Sequence, residues 1–227
     1  MNQRQKEVEA LKKDWETNPR WKGVKRAYSA EEVVKLRTRS LTVVLDRLED
    51  SFNMAAVLRT CEALGLQEVH VVVHPQHRFS PSEKVTQGCD KWLEIHRYSD
   101  FETCGERLKA RGFSLWASAR QPRSLSLFSM RFDSKLALVF GNERTGVSPH
   151  ALAISDGVFW IPMRGFTRSL NVSAAVAATL GQAIRWRTEH RGELGDLAEN
   201  ERRALIDRFQ VLSVKQRGRI YGDEVDR

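Results

Sequence analysis

The sequence has little of what marks secreted or membrane proteins. Three cysteines, Cys61, Cys89 and Cys104, occur in 227 residues. Their number and spacing fit neither a disulfide framework nor a zinc site, which indicates a reducing compartment. No apolar run approaches the roughly eighteen residues that span a bilayer, and the stretch MNQRQKEVEALKKDWE lacks the apolar core of a signal peptide. We therefore expect a cytoplasmic protein without a membrane partner.

Two kinds of ligand site also lack their sequence signals. No Gly-x-Gly loop follows the first predicted strand, so an open Rossmann-type site lacks its fingerprint. His70, His74 and His77 are close together, but HVVVHPQH lies across a predicted strand end and offers no convincing fourth ligand. We therefore expect no bound metal. Internal repeats and low-complexity tracts are absent as well.

The charge of the chain suits a polyanionic partner. The formal net charge is +8 and the isoelectric point is about 9.7, while 41% hydrophobic and 29% charged residues are ordinary globular usage. Nucleic acid is the commonest polyanion that basic proteins bind. Many basic proteins bind none, however, so charge alone does not decide the function.

Strand-like and helix-like segments alternate through the middle of the chain. Short β-branched or apolar segments predict strands at 41–48, 68–74, 113–119, 136–140 and 157–163. Periodic segments predict helices at 53–65, 100–112 and 171–187, the last with Val172, Val176, Leu180 and Ile184 at steps of four. This alternation is typical of an α/β domain with a mostly parallel sheet covered by helices.

Polar loops follow two of the predicted strands. LVFGNERTGVS, residues 138–148, passes from a predicted strand through Gly141 into a polar loop. IPMRGFTRSLN, residues 161–171, is the polar loop that follows the next predicted strand. A third polar pair, Asn53 and Arg59, flanks the first helix. Each has an ordinary structural explanation as a turn, a helix cap or a solvated face. Open α/β sheets bind ligands at the carboxyl ends of their strands, so together the loops indicate a site.

The three segments, in this order, resemble the three motifs of the SpoU/TrmH family of RNA ribose 2'-O-methyltransferases in the SPOUT superfamily. The first motif is similar to NMAAVLRTCEALG, the second to LALVFGNERTGVS and the third to IPMRGFTRSLNVSAAVA. The resemblance runs from Leu41 to Arg187. It implies an α/β fold with a deep trefoil knot and a homodimer whose interface contains the helix that starts near Asn171.

The resemblance also implies a cofactor, S-adenosyl-L-methionine, bound in the knotted loops. By correspondence with the family motifs, four residues surround it, largely through main-chain groups: Ser118, Gly141, Ile161 and Leu170. The reaction is methyl transfer to a ribose 2'-hydroxyl.

Five residues correspond to the catalytic positions of the family: Arg59, Asn53, Glu143, Ser169 and Asn171. Free guanidinium has a pKa above about 12 and is a poor base at neutral pH. Arg59 therefore either loses its proton with help from an RNA phosphate, or fixes that phosphate and stabilises the developing alkoxide. Both roles stay open.

This sequence departs from the family pattern at two places. EDSFN stands where many members carry Pro-His before the asparagine of the first motif, and Thr167 and Arg168 stand where Val and Gln are usual. Because Arg168 adds a positive charge beside the site, we expect these changes to affect the choice of RNA.

The two ends of the chain are predicted to flank the 41–188 methyltransferase domain. The basic arm at 1–40 resembles the amino-terminal segment of isocitrate lyases through NPRW and YSAEEVVKLR. The catalytic K-K-C-G-H loop is absent and the chain is too short for the lyase barrel, so no lyase activity follows. Arg37 and Arg39 are candidate RNA-binding residues together with Arg168; a solvated helix is the alternative. The charged tail at 189–227 is predicted to be helical.

Transfer RNA is the expected substrate, at the guanosine of the D-loop, because the chain lacks the separate RNA-binding domain typical of relatives that act on ribosomal RNA. Two alternatives stay open. One is 2'-O-methylation of ribosomal RNA, and the other is a non-catalytic RNA-binding member of the fold.

Overall fold

The computed structural model describes residues 28–73, 80–142, 144–192 and 195–222 together with Lys13 and Thr17, and for 214–222 it describes the backbone alone. The chain divides into two compact units, one of Met1–Arg37 with Leu197–Arg227 and the other of Thr38–Asp196. Residues 1–37 of the predicted arm and 197–227 of the predicted tail thus fall within one unit. In the ranges described, no helix is both long and apolar enough to cross a membrane.

The larger unit is built on one parallel sheet of seven strands. The strands are β1 Leu41–Asp46, β2 Glu68–Val72, β3 Glu94–Tyr98, β4 Ser114–Ser118, β5 Leu125–Ser126, β6 Leu136–Gly141 and β7 Gly157–Trp160. Their order across the sheet is β3-β2-β1-β6-β4-β7-β5, and every pairing is parallel. The predicted α/β class with a mostly parallel sheet is confirmed.

Helices of the larger unit cover both faces of this sheet. They are α2 Ser51–Ala63, α3 Glu83–Thr86, α4 Phe101–Ala110, α5 Pro149–Ile154 and α6 Val172–Arg191, and the smaller unit contains α1 Ala30–Lys35 and α7 Glu199–Gly222. On one face α2 and α6 pack through Leu58 and Leu180 onto Val43 and Leu138. On the other, α4 and α5 pack onto the side chains that alternate with these, such as Val44 and Val139. Burial on both faces explains why the central strands are almost wholly apolar.

Two strands and one short helix were not predicted from the sequence. Strand β3, EIHRY, lies at one edge of the sheet and carries polar side chains, and β5 has only two residues, so neither shows the apolar pattern of a buried strand. Helix α3 is only four residues long. Helix α1 lies in the basic arm, for which a helix was one of the two interpretations.

In the smaller unit the short helix α1 packs with the long helix α7. Ser29 begins α1 with a capping box, in which its hydroxyl accepts from the amide of Glu32 and the Glu32 carboxylate accepts from the amide of Ser29. Gln210 donates to Glu31 at 3.0 Å. Leu205 and Phe209 of α7 are buried.

A buried arginine fastens the C-terminal half of α6 within the larger unit. The side chain of Arg187 is almost fully buried, and its guanidinium donates five hydrogen bonds. The acceptors are the carbonyls of Phe132, Ser134 and Ser40 and the hydroxyls of Thr38 and Ser40, at 2.9 to 3.2 Å. Burial lowers the pKa of Arg187 to about 10.

Asp196 completes this attachment at the start of β1. Burial alone would raise the pKa of its carboxyl, but hydrogen bonds from the hydroxyls of Ser40 and Thr38 and the amides of Arg39 and Ser40 hold that pKa below its ordinary value. Its carboxylate lies 3.8 Å from the guanidinium of Arg187. The end of α6 and the beginning of β1 are thereby joined through one polar cluster.

Candidate active site

A cleft opens at the carboxyl ends of β6, β4 and β7, which are neighbours in the sheet. Its volume is about 200 Å³. The lining residues come from the ends of these strands and from the segment that leads into α6: Ser118, Ala119, Arg120, Phe140, Gly141, Asn142, Gly146, Trp160, Ile161, Met163, Arg168, Ser169, Leu170, Val172 and Ala175. The carboxyl edge is where parallel sheets bind ligands, because neighbouring loops diverge there.

The structure brings all four predicted cofactor residues into this cleft. Ser118 ends β4, Gly141 ends β6, Ile161 follows β7, and Leu170 lies just before α6. Ser118, Gly141 and Ile161 are each 20 or more positions apart along the chain, and the sheet order places them side by side. Their roles toward a ligand stay predictions.

Gly141 has a steric reason to be glycine. A Cβ built there would lie 2.1 Å from the carbonyl carbon of Gly146, so the loop after β6 folds directly over it. The amide of Gly146 donates to the carbonyl of Asn142 at 2.7 Å, and Gly146 itself has φ +72, in the left-handed region. Glu143, a predicted catalytic residue, lies outside the described residues.

The walls of the cleft combine apolar surface with a few polar groups. Phe140, Trp160 and Leu170 supply apolar surface, and the side chains of Ser118 and Ser169 supply hydroxyl groups. This mixture is typical of sites for small organic ligands, in which apolar walls hold the ligand and a few polar groups fix its orientation.

Arg120 and Trp160 are cleft residues that the sequence argument missed. The guanidinium carbon of Arg120 lies 5.1 Å from the centre of the Trp160 ring, within the range of a cation–π contact. Arg120 comes two residues after β4, and Trp160 is the last residue of β7. Arg120 directly follows the predicted strand 113–119 and could have been found there, whereas Trp160 lies inside the predicted strand 157–163 and has no such signal.

Asn171 joins the first and third motifs. Its side-chain oxygen accepts from the amide of Ser173 at 2.9 Å and so caps α6, as the ordinary structural interpretation required. Its side-chain nitrogen donates to Oδ1 of Asn53 at 2.9 Å. Asn53 lies in the first turn of α2, whose cap is Asp50. Two predicted catalytic residues, 118 positions apart, are therefore in direct contact.

Arg59 lies on α2 and is not among the residues that line the cleft. Its side chain is exposed, and its contact with the carbonyl of Val85 is long, at 3.4 Å. The structure thus places Ser169 at the cleft, pairs Asn171 with Asn53, and leaves the guanidinium of Arg59 turned to solvent within one chain.

The three candidate RNA-binding arginines have different surroundings. Arg168 is exposed at the cleft, as expected for a residue that meets a large substrate. Arg37 is buried with its guanidinium 5.4 Å from the centre of the Phe209 ring. Arg39 pairs with Glu94 and Glu68 in the sheet. The placement of Arg37 and Arg39 favours structural roles over contact with RNA.

Comparison with known proteins identifies the family. Residues 40–181, more than half of the chain, match the model of the SpoU rRNA Methylase family. This chain belongs to that family. Among its SpoU relatives is the tRNA (guanosine(18)-2'-O)-methyltransferase of Borreliella burgdorferi, 39% identical over 66% of this chain and 68% of that one. The enzyme of the same name from Thermus thermophilus is 37% identical over 69% of this chain and 80% of the relative.

A solved structure extends the similarity to most of the chain. The A. aeolicus TrmH/SpoU tRNA modifying enzyme superposes with a TM-score of 0.74 at 27% identity, covering 93% of this chain and 98% of that one. The similarity therefore extends beyond the matched 40–181 segment.

Proposed function

We propose that this SpoU protein is an S-adenosylmethionine-dependent RNA 2'-O-ribose methyltransferase that methylates the D-loop guanosine of transfer RNA. The observation that carries the proposal is the meeting of Ser118, Gly141, Ile161 and Leu170 with Ser169 in one cleft. The two relatives cited above, at 39% and 37% identity, both bear the name tRNA (guanosine(18)-2'-O)-methyltransferase. Methylation of ribosomal RNA is the alternative substrate, in keeping with the name of the family.

The cleft suits S-adenosylmethionine by its chemistry. The apolar surfaces of Phe140, Ile161 and Leu170 match the faces of an adenine ring and a methionine chain, and exposed backbone groups beside Gly141 can bond the polar edges. A volume of about 200 Å³ is small for such a ligand, since ligand pockets commonly measure about 300–1,000 Å³. Part of the cofactor therefore projects from the mouth, where Arg168 and Ser169 lie.

A homodimer and a trefoil knot belong to the same proposal. Small side chains of α6 are exposed at Ala174, Ala177, Ala178 and Gly181, which permits another helix to approach closely. Phe166 is fully exposed in the preceding loop. These features support a second copy packed against the start of α6. We assign the knot to the loops after β6 and β7, and the cytoplasm as the compartment.

When bound, S-adenosylmethionine would supply the methyl group of its sulfonium, and transfer to the ribose 2'-oxygen would break the S–CH3 bond and release S-adenosylhomocysteine and the hydroxyl proton. The contribution of the chain is to place that oxygen and to assist the loss of its proton. Ser169 and Asn171 shape the pocket for the hydroxyl, and the Asn53–Asn171 hydrogen bond fixes α2 beside it. Asn53 and Glu143 orient Arg59 or the ribose.

Arg59 acts through its charge or through its proton. Exposed and weakly bonded, its guanidinium is available to an RNA phosphate and to a developing alkoxide. General acid–base groups and charge stabilisers each contribute about 10²–10⁴-fold to rate, so Arg59→Ala is expected to lower the methylation rate by at least about 100-fold. Arg131→Ala, another exposed arginine in the larger unit, is the matched control and is expected to keep the rate.

Transfer of labelled methyl to unmodified tRNA and, separately, to ribosomal RNA tests the function. Alkaline hydrolysis then maps the resistant 2'-O-methylated linkage. A D-loop signal on tRNA is expected. A signal confined to ribosomal RNA would overturn the substrate, and RNA binding without methyl transfer or cofactor binding would favour the non-catalytic member. A full rate in Arg59→Ala would remove that residue from the mechanism.

A further inference from the structure

A second cluster of ligand-type side chains lies on β2 and β3, the outer pair of strands at one end of the sheet order. His70 and His96 are paired in register, and Glu68 lies on the same face two residues before His70. The two imidazole rings stack with their centres 4.9 Å apart. Oε2 of Glu68 is 3.6 Å from Nε2 of His70 and 3.9 Å from Nε2 of His96.

Two of the three atoms that face one another are buried without a hydrogen-bond partner. Across the described part of the chain these are Nε2 of His70 and Nε2 of His96, whereas Oε2 of Glu68 is paired with Nη1 of Arg111. His70 is fully buried. A buried polar atom without a partner is costly, so two such atoms beside one carboxylate call for an explanation.

The other ring nitrogen of His70, Nδ1, already has a hydrogen-bond partner. Its Nδ1 lies 3.1 Å from the hydroxyl of Tyr98, which is buried on β3. When Nδ1 donates to that oxygen, Nε2 carries a lone pair that points toward Glu68. Histidines that bind metals commonly have this arrangement, because the second hydrogen bond fixes the tautomer and the ring orientation.

The arginines around Glu68 leave room for a further ligand. Arg39 and Arg111 both donate to Oε1, and Nη1 of Arg111 lies 2.8 Å from Oε2. A carboxylate oxygen has two lone pairs, so Oε2 keeps one beside Arg111. Arg39 also donates two hydrogen bonds to Glu94, so two carboxylates offset the two guanidiniums. Contacts of this kind also orient a carboxylate that binds a metal.

We propose that Glu68, His70 and His96 form a binding site for Zn²⁺ or a similar divalent transition-metal ion, with water as the fourth ligand. The three ligand atoms lie within 4.8 Å of one another. Ligands of a tetrahedral zinc at about 2.0–2.1 Å lie about 3.3 Å apart, so the partly exposed His96 ring has to rotate out of its stack on His70 to bring its Nε2 to the ion. The ion ties edge strand β3 to β2, remote from the cleft-forming strands β6, β4 and β7.

The histidines of this site are not the ones that are close together in the sequence. In HVVVHPQH, His70 is near His74 and His77, and that pattern led to no expectation of a metal. His74 and His77 lie outside the described residues. The register of two strands brings in His96 instead, from a segment that showed no strand pattern. Because the flanking guanidiniums repel a cation, we expect weaker binding than at a site of four thiolates.

Calorimetric titration of the chelator-treated full chain with Zn²⁺ tests the site. One ion per chain is expected, together with a rise in the thermal unfolding midpoint, since a ligand that binds the folded state stabilises it. Co²⁺ is expected to give the visible absorption of a tetrahedral site. His96→Gln should weaken Zn²⁺ binding at least about 100-fold and Tyr98→Phe about 10-fold to 100-fold.

Two controls separate this cluster from the other histidines. His150→Gln changes an exposed histidine on α5, and the double variant His74→Gln with His77→Gln removes the neighbouring pair of the sequence pattern. Both are expected to bind Zn²⁺ like the unaltered chain. The proposal is overturned if the unaltered chain binds no Zn²⁺, if His96→Gln and Tyr98→Phe bind it fully, or if the double variant loses it.

Discussion

Replacement of Arg187 by methionine is expected to destabilise the protein strongly. The change keeps the apolar stem of the side chain and removes a guanidinium that is almost fully buried and donates five hydrogen bonds. The carbonyls of Phe132, Ser40 and Ser134 then lose their donor inside the protein. Breaking a buried charged network by removing one partner costs about 3–5 kcal/mol.

That cost is a large share of the stability of the fold. Domains typically unfold with about 5–15 kcal/mol, so Arg187→Met is expected to lower the free energy of unfolding by about 3–5 kcal/mol, a third or more of a typical value. Arg187→Lys keeps a charge but presents a single ammonium in place of the planar guanidinium, which bonds acceptors on several sides. We therefore expect the lysine variant to lose about half as much.

Urea unfolding followed by tryptophan fluorescence and by circular dichroism measures this difference at one fixed protein concentration. Arg185→Met is the matched control. Arg185 lies two residues earlier on α6, exposed, with an ion pair to Glu189 at 2.7 Å that is worth at most about 0.5 kcal/mol. If Arg187→Met unfolds within about 1 kcal/mol of the unaltered chain, the buried cluster does not hold α6 to β1 and the argument fails.

Two further predictions concern the cleft loop and acid stability. Gly141→Ala places a methyl group where the backbone of Gly146 lies, so S-adenosylmethionine binding should fall at least about tenfold by calorimetry, whereas the exposed control Arg131→Ala should keep it. Unchanged binding in Gly141→Ala would contradict the loop geometry. Because hydrogen bonds hold the pKa of Asp196 below its ordinary value, its stabilisation is present above about pH 4 and lost as the pH falls further. The urea midpoints of the unaltered chain and Asp196→Asn should therefore converge below about pH 4; a difference that stays constant down to pH 3 would refute this.

The sequence predicts the strands of the sheet better than it predicts which side chains and strands lie next to one another. Strands β1, β2, β4, β6 and β7 follow from apolar segments, because each is buried on at least one face. The stripe on α6 was predicted at steps of four, ending at Ile184, yet the structure buries Ala183 and Arg187 instead. A helix has 3.6 residues per turn, so steps of four drift around its surface, and a buried arginine does not appear in an apolar pattern.

The candidate site was likewise predictable from the sequence only in part. Glycine and serine positions in the loops could be located from the sequence because strand ends and helix caps have local signals. The Asn53–Asn171 hydrogen bond and the Arg120–Trp160 contact depend on which loops the sheet order makes adjacent. Local patterns do not encode that order. The motif resemblance supplied the grouping of the cofactor residues that local patterns could not.

The order of strands in the sheet has a consequence for how the protein is made. Strand β6 lies between β1 and β4, and β7 lies between β4 and β5, so both strands enter between partners that leave the ribosome earlier. Strands β1, β2 and β3 can pair in the order of synthesis, while the centre of the sheet stays open until Gly141 has emerged. The cleft is complete only when Ala175 follows. A nascent chain released before β6 would therefore expose the edges of β1 and β4 to other chains, which makes the interval before β6 emerges the one in which this protein most needs a chaperone.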